Sequence, residues 1–125
     1  MRSPYEHFDR AFERVSASAI IAEGRCVGRI AWKLPTDGAA RLYCYFQLWG
    51  GPMTRGSAGG FGYDKRGAAL YDAIAKWLQL ENSADPDVGR FHSIVAEAQF
   101  EGHGQWSSIR AAFEARGVTI QHIID

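Results

Sequence analysis

The residues Gly56-Ser57-Ala58-Gly59-Gly60-Phe61-Gly62-Tyr63-Asp64-Lys65-Arg66 concentrate backbone freedom, a carboxylate and two cations in one short run. Glycine tolerates φ > 0 and lets a ligand or another backbone come close. An anion site is the chemistry this composition suggests. Gly60 and Gly62 would expose N–H groups, a following helix would add its positive end, and Arg55, Lys65 and Arg66 would supply charge. The phosphate motifs themselves are missing. A Walker loop needs Gly-Lys-Ser/Thr after a glycine and four spacers, and the dinucleotide fingerprint needs glycine at position 65, where Lys stands. Asp64 stands where an N-cap belongs and would repel an anion there. A tight strand-to-helix connection packed on a sheet is the stronger reading of the run.

A second constellation is Arg41, Tyr43, Tyr45 and Trp49, alternating along one apparent strand, with Arg29 and Lys33 on the strand before it. Aromatics interleaved with arginines on an open sheet can stack bases and hold phosphates. The same residue types form hot spots between proteins. The alternatives are a face covered by a helix, or an ordinary wet amphipathic strand.

No catalytic set is visible beside these. His7, His92, His103 and His122 lack zinc-like spacing to one another or to Cys26 and Cys44. Neither cysteine has the context of a nucleophile. Ser107 and Ser108 read as first-turn polar residues. Asp72 has Lys76 four residues on and no second carboxylate as a helical neighbour. The expectation is a protein that is not an enzyme and takes no metal or cofactor.

Composition narrows the partners. Fourteen Lys and Arg balance fourteen Asp and Glu, so the formal net charge is zero. That disfavours a protein that coats nucleic acid through bulk charge, while leaving room for a local basic patch. The 125 residues, 46% of them hydrophobic, suit one domain, residues 1–125, with a core that needs no disulfide. No leader or apolar run of spanning length is apparent, and two cysteines fit reduced thiols, so a cytoplasmic protein away from membranes is expected.

The elements that must position these residues follow from periodicity. Ser3-Pro4-Tyr5-Glu6, with Tyr5, Phe8, Phe12 and Val15 behind it, predicts a helix over about residues 4–15. Residues 17–22, 27–34 and 41–49 alternate as strands, with turns at Glu23-Gly24-Arg25 and Pro35-Thr36-Asp37-Gly38. A weak edge strand is expected between Met53 and Gly60. Leu70, Ile74, Trp77 and Leu78 mark a helix from Asp64 to about Leu80. Asp85-Pro86 opens another, with Phe91, Ile94, Val95 and Ala98 buried, broken at Gly102-His103-Gly104. A last helix over Trp106, Ile109, Ala112 and Phe113 closes at Gly117, and residues 118–124 return as a strand. The fold class expected is α+β: an antiparallel β-meander joined by a C-terminal strand, with helices packed on one face.

The pattern Gly56-x-Ala58-x-Gly60-x-Gly62-Tyr63-Asp64-Lys65-x-x-Ala68-Ala69 resembles one found in small accessory proteins of bacteriophages, plasmids and integrated elements. Asp37-Gly38-Ala39-x-Arg41-Leu42 and the ending Gly117-Val118-x-Ile120-x-x-Ile123 resemble the same group. One departure is Gly67, where a similar pattern commonly has Ser. The resemblance implies a factor that helps a mobile element survive in a bacterial host, anti-CRISPR or anti-restriction proteins being the obvious class. The function expected from it is steric inhibition of a host defence complex, through a surface of roughly 800 Å² per partner. The alternative is a small nucleic-acid-binding module using the aromatic and basic sheet face.

Overall fold

The structure is a computed structural model that describes residues 12–35, 41–49, 51–59, 64–80 and 89–124. These form strands β1 (Phe12–Ala22), β2 (Arg25–Pro35), β3 (Leu42–Leu48) and β4 (Thr54–Ala58), helices α1 (Lys65–Leu80), α2 (His92–Gly102) and α3 (Trp106–Ala115), and strand β5 (Val118–Ile124). The sheet order is β4-β3-β2-β1-β5, antiparallel throughout. The first four strands make the meander, and β5 returns beside β1.

The hairpin of β1 and β2 closes through Glu23 and Gly24, with φ of 55° and 75°. Two positive φ values in a two-residue loop match the twist of the flanking strands, and Gly24 takes its value without strain. From that turn the pairing runs out to Arg14 opposite Lys33 and Phe12 opposite Pro35. This corrects the helix expected over about residues 4–15. Residues 12–15 are strand, and the rest of that helix lies outside the described residues. The β1–β2 ladder runs on past two register shifts, between Ile20 and Ile21 and between Arg14 and Ser16, and such non-local pairing overrides a helical spacing of four apolar residues.

One face of the sheet carries the core. Ile20, Ile30, Trp32, Leu42, Cys44, Phe46 and Leu48 meet Leu70, Ile74 and Trp77 of α1, Val95 of α2, and Ile109 and Phe113 of α3. Each large side chain buried here stabilises the fold by about 1.5–3 kcal/mol. The rings meet edge to face, Trp32 with Trp106 at 4.7 Å and Phe46 with Trp77 at 5.7 Å. Phe91, Val95 and Ala98 are buried as expected, and Gly117 ends α3 with φ of 80°. The loop and cap expected around Asn82 to Asp87 lie outside the described residues.

Of the alternatives left for the second face, open or covered, the structure shows a face covered in part. At its centre Ala17, Ala31, Arg29 and Lys33 are buried, Lys33 completely. The middle of β2 is therefore covered on both sides, and exposure on this face lies at β3, β4 and their connecting turn and, at the far edge, at Thr119 and Gln121 of β5.

Candidate functional site

The glycine-rich run is built around Asp64. One carboxylate oxygen accepts from Gly67 N–H at 3.1 Å, and its backbone oxygen accepts from Ala68 N–H at 2.9 Å. These are the bonds of an N-cap on α1. The other carboxylate oxygen accepts from Trp106 N–H at 2.8 Å. Trp106 opens α3, whose preceding residue, Gln105, offers no side-chain cap. One carboxylate thus serves two helix N-termini, which charge and hydrogen bonding both favour. The fit is close: a Cβ on Gly67 would stand 2.3 Å from Gly104 O and 2.4 Å from Trp106 N.

The cations proposed for an anion site do not converge there. Arg55 lies over the Tyr43 ring at 5.1 Å, on the second face. Arg66 lies over Trp32 at 5.9 Å, on the core face, and its backbone oxygen accepts from Trp32 Nε1–H at 2.9 Å. Lys65 is the first residue of α1 and half-buried. Asp64 holds the N–H groups an anion would need. Gly60 and Gly62 lie outside the described residues.

The second constellation is assembled on β3, β4 and the turn between them. Tyr43 and Tyr45 are half-buried, Arg41 and Arg55 are exposed, and Trp49 is 39% exposed. Arg55 stacks on Tyr43 and hydrogen-bonds Tyr45. Burial pushes the Tyr45 phenol above its ordinary pKa, and that hydrogen bond and the charge of Arg55 hold it back. Arg41 donates to Ser57 Oγ at 3.0 Å. Arg29 lies over the Trp49 ring at 5.5 Å and reaches Met53 Sδ at 3.7 Å. Its place as an exposed site residue is corrected: it is 95% enclosed and acts beneath Trp49. Lys33 is corrected likewise, being wholly buried opposite Tyr43. Both corrections have one cause. Alternation fixes which face a side chain takes, not whether that face stays open.

Three features were not legible as sites in the sequence. Met53 joins Trp49 as an exposed apolar side chain at the β3–β4 turn. A cavity of about 120 Å³ opens beside them, lined by Arg25, Cys26, Val27, Leu48, Trp49, Arg90 and Phe91. A shallow groove of about 300 Å³ runs past Ala68, Tyr71, His103 and Gly104. His103 takes a left-handed φ of 49° where α2 ends, and lies 5.8 Å from the exposed Phe100 ring. The Gly102-His103-Gly104 signal located that break but not the groove beside it.

Cys26 is exposed and Cys44 buried, both thiols free, and burial holds Cys44 well above its ordinary pKa. Arg116 bonds Glu97 at 2.9 Å and pairs with Glu101, tying the end of α3 to α2. That pairing lowers the Glu101 pKa. Among the described residues, no group of three or more His, Cys, Asp or Glu is placed to hold a metal ion, and no helix is long and apolar enough to cross a membrane. Comparison with protein-family models, with curated proteins and with solved structures found no match.

Proposed function

We propose that this chain is an inhibitor carried by a mobile element, and that it acts by binding a bacterial defence complex and covering a site on it. The observation that carries the reading is the aromatic and arginine surface of β3 and β4. There Trp49 and Tyr43 each face a guanidinium, and Arg41, Tyr45 and Met53 border them. Stacked arginines hold the rings in place, so little rotamer entropy is lost on docking. Trp, Tyr and Arg are also the residues that dominate binding energy between proteins. The resemblance around Gly56 to Ala69 supplies the class of target. The mechanism is occlusion, with no covalent step and no cofactor.

The burial of Arg29 and Lys33 bears on the choice of partner. Removing two cations from the surface of a chain with no net charge favours a protein partner over a phosphate backbone. The test is binding of the purified chain to CRISPR effector and restriction complexes, beside naked DNA and RNA at physiological salt. Stable binding to a defence complex with only weak nucleic-acid binding is expected. A sub-micromolar, steeply salt-dependent affinity for naked nucleic acid would overturn the reading in favour of the nucleic-acid module.

A further inference from the structure

Three stretches of chain converge at one end of the sheet: residues 25–27 where β2 starts, Leu48 and Trp49 where β3 ends, and Arg90 and Phe91 ahead of α2. Between them opens the cavity of about 120 Å³. A water takes about 30 Å³ in the liquid, so this is room for roughly four waters or for one small side chain. The wall is apolar. Leu48 and Phe91 are buried, Val27 is half-buried, and Trp49 is partly exposed. The backbone N–H of Trp49 donates to Val27 O at 2.8 Å, and Arg29 lies over its ring, so that side of the cavity is held in place.

The mouth is cationic. Arg25 and Arg90 are exposed, and no Asp or Glu lines the cavity among the described residues. Arg90 lies over the Phe91 ring at 5.1 Å. Its one carboxylate neighbour among the described residues, the exposed Glu23, stands 3.7 Å away, longer than a hydrogen bond. Arg25 has no carboxylate partner among the described residues. Two planar forks of N–H donors thus stand over an apolar recess.

We propose that this cavity takes a carboxylate side chain, Asp or Glu, presented by a protein partner. The inference rests on the reading of Trp49 as part of a docking surface, because Trp49 belongs both to that surface and to the cavity. An acidic side chain is complementary at both ends. Its carboxylate meets guanidinium in charge-assisted, bidentate geometry, and its methylene stem meets the apolar wall. Arg25 and Arg90 stay in contact with water, so the pairing carries little of the desolvation cost of a buried ion pair. Phosphate fits less well, because oxygens beyond the reach of the arginines would lie against Val27, Leu48 and Phe91 without partners. The charge and the lining together point to an acidic protein segment.

The test uses the purified full chain with two blocked peptides, acetyl-Gly-Glu-Gly-amide and its Gln counterpart, at fixed ionic strength. NMR of the Trp49 indole N–H reads binding. Alkylation of Cys26 reads occupancy of the cavity, since Cys26 is an exposed thiol in the lining and Cys44 is buried. The Glu peptide should shift the Trp49 signal, slow the alkylation, and bind about tenfold or more tighter than the Gln peptide. Arg25→Gln/Arg90→Gln, at two exposed positions, should lose that preference at an unchanged folded fraction. No binding at millimolar peptide, equal binding of the two peptides, or an unchanged preference in the variant overturns the proposal. Butyrate carries the same carboxylate on a free stem. Tighter binding of butyrate than of the Glu peptide would assign the cavity to a small free acid, and tighter binding of inorganic phosphate would assign it to phosphate; either overturns the proposal. No defence complex enters this experiment, so its failure leaves the inhibitor reading standing. A chain that binds no defence complex but keeps the Glu preference loses that function and keeps this site.

Discussion

Asp64 shows how much one side chain can settle. Its position before an apolar helical stripe was enough to expect a cap on α1. That it also caps α3, 42 residues later in the chain, was not legible, because nothing local to Trp106 asks for a distant carboxylate. Gly67 belongs to the same arrangement. The resembling pattern commonly has Ser there, but here the backbone of Gly104 and Trp106 fills the space where a Cβ would sit. The departure is steric accommodation of the α3 N-terminus. If Asp64 satisfies two N-termini, Asp64→Ala should cost about 2 kcal/mol, twice the usual ~1 kcal/mol of a single cap. Asp64→Asn keeps one acceptor oxygen and should cost about half as much. Urea denaturation of the three proteins measures this. Equal midpoints for Asp64→Asn and the parent, with a single-cap loss for Asp64→Ala, would remove the double role.

At the scale of elements, alternation and helical stripes located four of five strands and all three helices, and the glycines at 102, 104 and 117 marked two helix ends. The start of β1 was misread because its first residues also fit a helix, and only their partners on β2 decide between the two. β4 was weakly marked for a related reason. Its Gly56 suits no isolated strand, yet a Cβ there would lie 2.2 Å from Ala69 O and Ala73 N. Glycine lets α1 lie directly on the strand, and Thr54 Oγ1 donating to Ala73 O at 2.6 Å fastens the contact. The same proximity brings Asp72 and Lys76 over the β4 edge. Exposed ion pairs contribute little to stability, about 0–1 kcal/mol. Asp72→Ala/Lys76→Ala should therefore leave the denaturation midpoint nearly unchanged, with the net charge conserved. What should change is association: without Asp72 and Lys76 the β4 edge leaves Ser57 N–H and the Arg55 backbone oxygen able to pair with a strand of another molecule. Light scattering at equal folded fraction should rise well above that of the parent. Unchanged scattering would show that the pair is only a surface salt bridge.

For the molecule as a whole, the hard question was which surface remains available. Period-two alternation correctly sent Leu42, Cys44, Phe46 and Leu48 to the helices and Tyr43, Tyr45 and Trp49 to the other side. It carried no information on what covers that other side, so the candidate surface included Arg29 and Lys33, which are enclosed. The surviving surface is smaller and lies toward β4, and the functional prediction sharpens accordingly. Trp49 reaches solvent over Arg29, whereas Tyr45 packs on Ala17 and Ala31 as well as facing outward. Tyr45→Ala combined with Trp49→Ala should weaken inhibition of the partner about tenfold or more, roughly 1.4 kcal/mol. Part of the Tyr45 effect, though, would come from that packing. Trp49→Ala with Tyr43→Ala removes the two arginine-stacked rings, takes nothing from that Ala17–Ala31 packing, and should weaken inhibition by a similar factor at an unchanged folded fraction. Tyr45→Phe, which keeps the ring and loses only the hydroxyl bonded to Arg55, should inhibit almost as well as the parent. Full inhibition by a folded Tyr43→Ala/Trp49→Ala protein would move the contact off this face, to the groove between α1 and α2 where Tyr71, Phe100 and His103 are exposed.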